Sequence, residues 1–74
     1  MGQIRDDKLL KQISGKLKHL REKKGVSQQE IYNETNIHIA RIESAQANIS
    51  VSTLSKLCDY FGISLSDFFK LINS

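Results

Sequence analysis

What constrains this chain most is its punctuation: 74 residues contain no proline, and turn-forming residues break the pattern at Gly25, Asn36, the 46–50 stretch and Gly62. Nothing between those points stops a helix, so the sequence divides into four or five short ones, with no linker and no repeat. Asp6 or Asp7 caps the first, in which Leu10, Ile13, Leu17 and Leu20 recur at three- and four-residue spacing; Gly25 closes it as a left-handed C-terminal residue. Ser27 opens the second, and Glu30 three positions on completes a capping box. Ile31 is its obvious buried position, and Thr35-Asn36 hold it to about two turns, because both residues favour caps over helix interiors. The third is expected to follow at once, from Asn36 to Ser44 with Thr35 as its N-cap. That register turns Ile39, Ile42 and Ala45 inward and leaves Asn36, His38, Ala40, Arg41 and Ser44 pointing elsewhere. Ser50 caps a fourth helix carrying Leu54, Leu57, Cys58 and Phe61, which Gly62 ends. Ser64 with Asp67 caps the fifth.

A chain of this length supports one small core and so reads as a single domain, residues 1–74, with 1–6 as a flexible start. In the last helix Phe68, Phe69, Leu71 and Ile72 are apolar on more than one side. One small core hardly covers them all, and the surplus is expected to form a homodimer seam. Cys58 has no cysteine partner and there is no signal-peptide pattern, which points to the cytoplasm. The longest apolar runs are two residues, so no membrane span is expected.

The formal charge of +3 is unevenly spread. Residues 1–24 hold eight lysines and arginines against three acids, and the remainder three against five. A basic field at one end suggests an anionic partner, nucleic acid before acidic protein or membrane surface. Two adjoining helices, the first opened by a capping box, are what a helix-turn-helix requires. In such a pair the first helix aims its N-terminal amides at a DNA phosphate and the second lies in the major groove. Residues near the start of the second must be polar and able to match base edges, as Asn36, His38 and Arg41 are. Asn bonds adenine bidentately and Arg bonds guanine. Arg41 has a second possible use, a surface pair with Glu34 or Glu43, and His38 can equally be an ordinary exposed histidine.

The run Val26-Ser27-Gln28-Gln29-Glu30-Ile31, followed by Ile39-Ala40-Arg41-Ile42-Glu43, resembles the phage repressor and Cro-like helix-turn-helix family, also called the XRE family. The resemblance extends over about residues 12–72, through the turn from Arg21 to Gly25, the Asn48-Ile49-Ser50 entry to the fourth helix and the closing Leu57 to Phe69 segment. It implies an all-α, compact five-helix lambda-repressor-like DNA-binding domain whose helices 2 and 3 form the helix-turn-helix. It also implies that Asn36, Ile37, His38 and Arg41 face the bases. Ser27, Gln28, Lys23, Thr35, Gln46 and Asn48 would meet the DNA backbone, with Gln28 bracing the first base contact. Arg21 and Glu43 correspond to the family's structural ion pair between the ends of helices 1 and 3. Two departures stand out: the Gln28–Glu43 span is three residues shorter than the family pattern, and Ser44-Ala45 replace a glycine after the glutamate.

His19, His38 and Cys58 fall on separate elements without paired ligand spacing, so no metal is expected. Cys58 reads as a small core residue. No glycine-rich phosphate loop or Ser-His-Asp set is present, and Asp6-Asp7 is the one adjacent carboxylate pair, so the chain is not read as an enzyme. No cofactor and no small-molecule ligand are implied. The function expected is sequence-specific binding to double-stranded DNA by a homodimer that regulates transcription from a roughly palindromic operator. The competing reading is a protein-interaction or antitoxin-like module that uses the same helices to hold a protein partner.

Overall fold

Asp6 accepts the Leu9 backbone N–H at 3.0 Å and so starts α1, Asp7–Lys24. The computed structural model describes residues 6–73. The start expected to be flexible therefore lies outside the described residues apart from Asp6, which is a cap. Four more helices follow: α2 (Gln28–Thr35), α3 (Ile39–Glu43), α4 (Val51–Phe61) and α5 (Leu65–Asn73). The starts of α2, α4 and α5, like that of α1, have a local chemical cause, whereas His38 makes no side-chain bond at the start of α3. Ser27 and Glu30 exchange reciprocal bonds of 3.0 and 3.2 Å, the full capping box. Ser50 accepts from the Thr53 N–H at 3.1 Å, and Ser64 from that of Asp67 at 3.0 Å.

Three helices end in one hydrogen-bond pattern. The N–H of Val26, Gln46 and Ile63 reaches back to the carbonyl of Arg21, Arg41 and Cys58, while that of Gly25, Ala45 and Gly62 reaches Glu22, Ile42 and Asp59. This is the Schellman closure, which requires a left-handed residue at its centre. Gly62 adopts φ +75° without strain, whereas Ala45 is held at φ +59° with a Cβ that disfavours it.

The third helix differs from its expected span. Asn36 adopts φ +63° and terminates α2, its N–H bonding the Tyr32 carbonyl at 2.7 Å. The chain then runs through Ile37 and His38 before α3 begins at Ile39, with His38 rather than Thr35 as N-cap. Asn tolerates the left-handed region better than other non-glycine residues, so it replaces the glycine usual at such a turn.

Every helix contributes to one core: Ile13 and Leu17 from α1, Ile31 from α2, Ile39 and Ile42 from α3, Leu54, Leu57 and Cys58 from α4, and Phe68 from α5. α1 packs on α3, α4 and α5, and α2 packs on α3 and α4. Phe68 is 0% exposed and fills the centre. Its expected place in a dimer seam is thereby corrected: a ring with no accessible surface is core. Phe69 and Ile72 are half-buried against the core, and Leu71 is exposed. Burial pushes the Cys58 thiol up, with the Asp59 charge adding to it. No helix among the described residues is long and apolar enough to cross a membrane.

Candidate nucleic-acid interface

Glu43 anchors the candidate interface. It ends α3, and its carboxylate accepts from Arg21 through two bonds, Nε to Oε2 at 2.7 Å and Nη2 to Oε1 at 3.1 Å. Arg21 Nη1 also donates to the Val26 carbonyl at 3.0 Å, so one guanidinium ties α1, the α1–α2 turn and α3 together. The bond to Glu43 raises the Arg21 pKa, opposed by the desolvation of burial and aided by the charges of Glu43 and Glu22. Gln28, in the first turn of α2, donates from Nε2 to Glu43 Oε1 at 3.0 Å. This network fixes the angle at which α3 leaves the body of the domain.

Two open concavities flank the line from Gln28 to Ala40. One, of about 500 Å³, is lined by Lys18, Arg21, Ser27, Gln28, Ala40, Glu43 and Ser44. The other, of about 400 Å³, is lined by Gln28, Gln29, Tyr32, His38, Ile39 and Ala40. The first brings Lys18 beside the N-terminal turn of α2, the positive end of its dipole, which favours an anion.

The expected base-facing residues separate into two groups. Asn36, His38 and Arg41 are exposed. The imidazole of His38 stacks on Tyr32 with centroids 4.4 Å apart and planes inclined by 29°. Arg41 pairs with neither Glu34 nor Glu43; the latter is occupied by Arg21. Ile37, however, is half-buried and packs against the core, so its side chain is not on the reading edge. Thr35 is corrected for the same reason. It is 5% exposed, its hydroxyl donates to the Ile31 carbonyl at 2.7 Å and accepts the Ile37 N–H at 3.2 Å, and it has no surface to offer a phosphate.

Of the remaining expected backbone contacts, Ser27 and Gln28 share the larger concavity, and Gln46 and Asn48 are exposed on the α3–α4 connection. Lys23 stands apart, opening onto a notch with Leu20, Lys24, Phe61 and Ile63. Sequence reasoning missed Tyr32. Its spacing of four from Gln28 puts the two on one face of α2, which is the signal that could have found it. Among the described residues no three His, Cys, Asp or Glu side chains gather as a metal site.

A sequence profile of the helix-turn-helix family matches residues 17–68, more than two thirds of the chain, from the middle of α1 to the first turn of α5. The chain belongs to the XRE, or Cro/C1-type, helix-turn-helix family. No curated protein and no solved structure gives a significant match. As an XRE-type protein it is a DNA-binding regulator, and its five-helix order is lambda-repressor-like. In this XRE-type domain α2 has eight residues, the turn after it is centred on Asn36, and α3 has only five residues.

Proposed function

We propose that this XRE-type chain acts as a homodimer that regulates transcription by occupying a roughly two-fold operator. Each protomer reads one half-site through Asn36, His38 and Arg41, while Ser27, Gln28, Gln46 and Asn48 meet phosphates. The observation that carries the proposal is the exposure of Asn36, His38 and Arg41 on the segment held by the Arg21–Glu43 bonds. An amide, an imidazole and a guanidinium supply donor and acceptor chemistry, and their support is fixed to α1 rather than hinged. Dimer symmetry places the half-sites about 34 Å apart, or a multiple of that. The seam is formed by Phe69, Leu71 and Ile72 of α5.

The test is binding of the chain to duplexes recovered from random DNA, measured as a function of salt. Affinity falls steeply with log salt, about 0.9 in log K per phosphate neutralised. Arg41→Ala costs about 1 to 3 kcal/mol of binding and relaxes one base position. Salt-insensitive capture of a protein partner, with no duplex bound, would overturn the proposal in favour of an interaction module.

A further inference from the structure

The hollow between α2 and α3 lies beside the reading residues, yet its walls are of a different character. It is lined by Gln28, Gln29 and Tyr32 of α2, by His38, and by Ile39 and Ala40 of α3. Tyr32 is half-buried, and His38 stacks over its ring, so the pair gives the hollow an aromatic wall. Each ring limits the rotamers of the other, so the wall is in place before any ligand arrives. Ala40 is exposed and adds a methyl group to the lining where a longer side chain would fill the space.

We infer that this hollow is a subsite for the 5-methyl group of thymine, and that Tyr32 and Ala40 set base preference at that step. The inference rests on the reading face proposed above. In the major groove the four base pairs display hydrogen-bond donors and acceptors, and a single kind of apolar group, the thymine methyl. An aromatic ring beside an alanine gains from covering a methyl, a group that a cytosine edge lacks. The volume of about 400 Å³ admits the edge of a base along with its methyl. Tyr32 is thus a specificity residue that needs no hydrogen bond to act.

The experiment replaces thymines of a selected duplex, one at a time, with deoxyuridine, which keeps the pairing and removes only the methyl. Binding of the full chain is followed by fluorescence anisotropy. One position in each half-site is expected to lose about fourfold in affinity, the equivalent of one buried methyl group. Tyr32→Ala binds the thymine and uracil duplexes equally. If that variant does not fold, Ala40→Ser, at an exposed position, is expected to shrink the difference to below twofold. Equal binding of every uracil duplex by the unsubstituted chain, or selected half-sites without thymine, overturns the subsite while leaving the DNA-reading face intact. A chain that binds no duplex at any salt concentration overturns both.

Discussion

Arg21 and Glu43 lie at the ends of different helices and are joined by two N–H···O bonds of 2.7 and 3.1 Å. The side chains are 14% and 5% exposed, so removing one partner strands the other in a poorly solvated place. Arg21→Ala is expected to destabilise the domain by about 2 to 4 kcal/mol, seen as a fall in Tm of about 10 to 20 °C. Gln28 also bonds Glu43, but its amide carries no charge and does not compensate. A fall of less than about 3 °C would mean that α3 is held by packing alone.

Thr35 supplies a contrast between stability and binding. Thr35→Val removes a donor to the Ile31 carbonyl and an acceptor for the Ile37 N–H. Urea unfolding should register a loss of about 1 to 2 kcal/mol. The affinity of the folded variant for duplex DNA should not change, since the hydroxyl is buried; a loss of about tenfold on every sequence would return Thr35 to the phosphate contacts.

Ala45 is strained where its neighbours in the same closure are not. Ala45→Gly removes the clash of a Cβ at φ +59°, and the greater freedom of glycine in the unfolded chain offsets part of the gain. The expected result is a higher urea midpoint with unchanged m, corresponding to about 0.5 to 1 kcal/mol. A lower midpoint would show that this turn relaxes when the side chain is removed.

Leu71 and Leu9, 41% and 38% exposed, lie on α5 and α1, which pack together. With the seam on this side, Leu71→Asp gives a folded monomer in sedimentation equilibrium, with the helical circular dichroism of the unsubstituted chain. Phe68→Ala behaves differently, costing about 3 to 5 kcal/mol by opening the core. Dimerisation that survives Leu71→Asp would move the seam elsewhere.

Cys58 makes stability depend on alkaline pH. Its folded-state pKa is raised, first by burial and then by Asp59, so the thiol's contribution is complete below the unfolded value and is lost as pH rises toward the folded one. Unfolding free energy should decline above about pH 8.5, and the decline should be shallower in Cys58→Ala. Parallel pH profiles would assign the loss to other groups.

The caps were legible because their chemistry is local: a serine and the N–H three residues later suffice to place the start of α2, α4 and α5. Gly25 and Gly62 announced their turns in the same way. The start of α3 was not legible. Asn36 is acceptable either as a cap or as a left-handed terminator, and the choice goes with the burial of Thr35 at the end of α2, a tertiary fact. Phe68 and Phe69 illustrate a similar gap, since adjacent identical residues carry no pattern to say which one faces Leu17 and Leu57 in the core. The Arg21–Glu43 pair was found through family resemblance, whereas the Tyr32–His38 stack spans the misread turn and left no periodic trace.

The brevity of α3 has a consequence for how such a protein finds its address. Five residues rise about 7 to 8 Å along a helix axis, the height of little more than two stacked base pairs. On the proposed reading, one protomer therefore extracts only a few bits from the sequence, far fewer than a genome-sized search demands. In the dimer proposed above, the missing information comes from geometry, through two reading heads at a fixed stride. Inserting a single base pair between half-sites should then be punished more severely than changing any one letter within them.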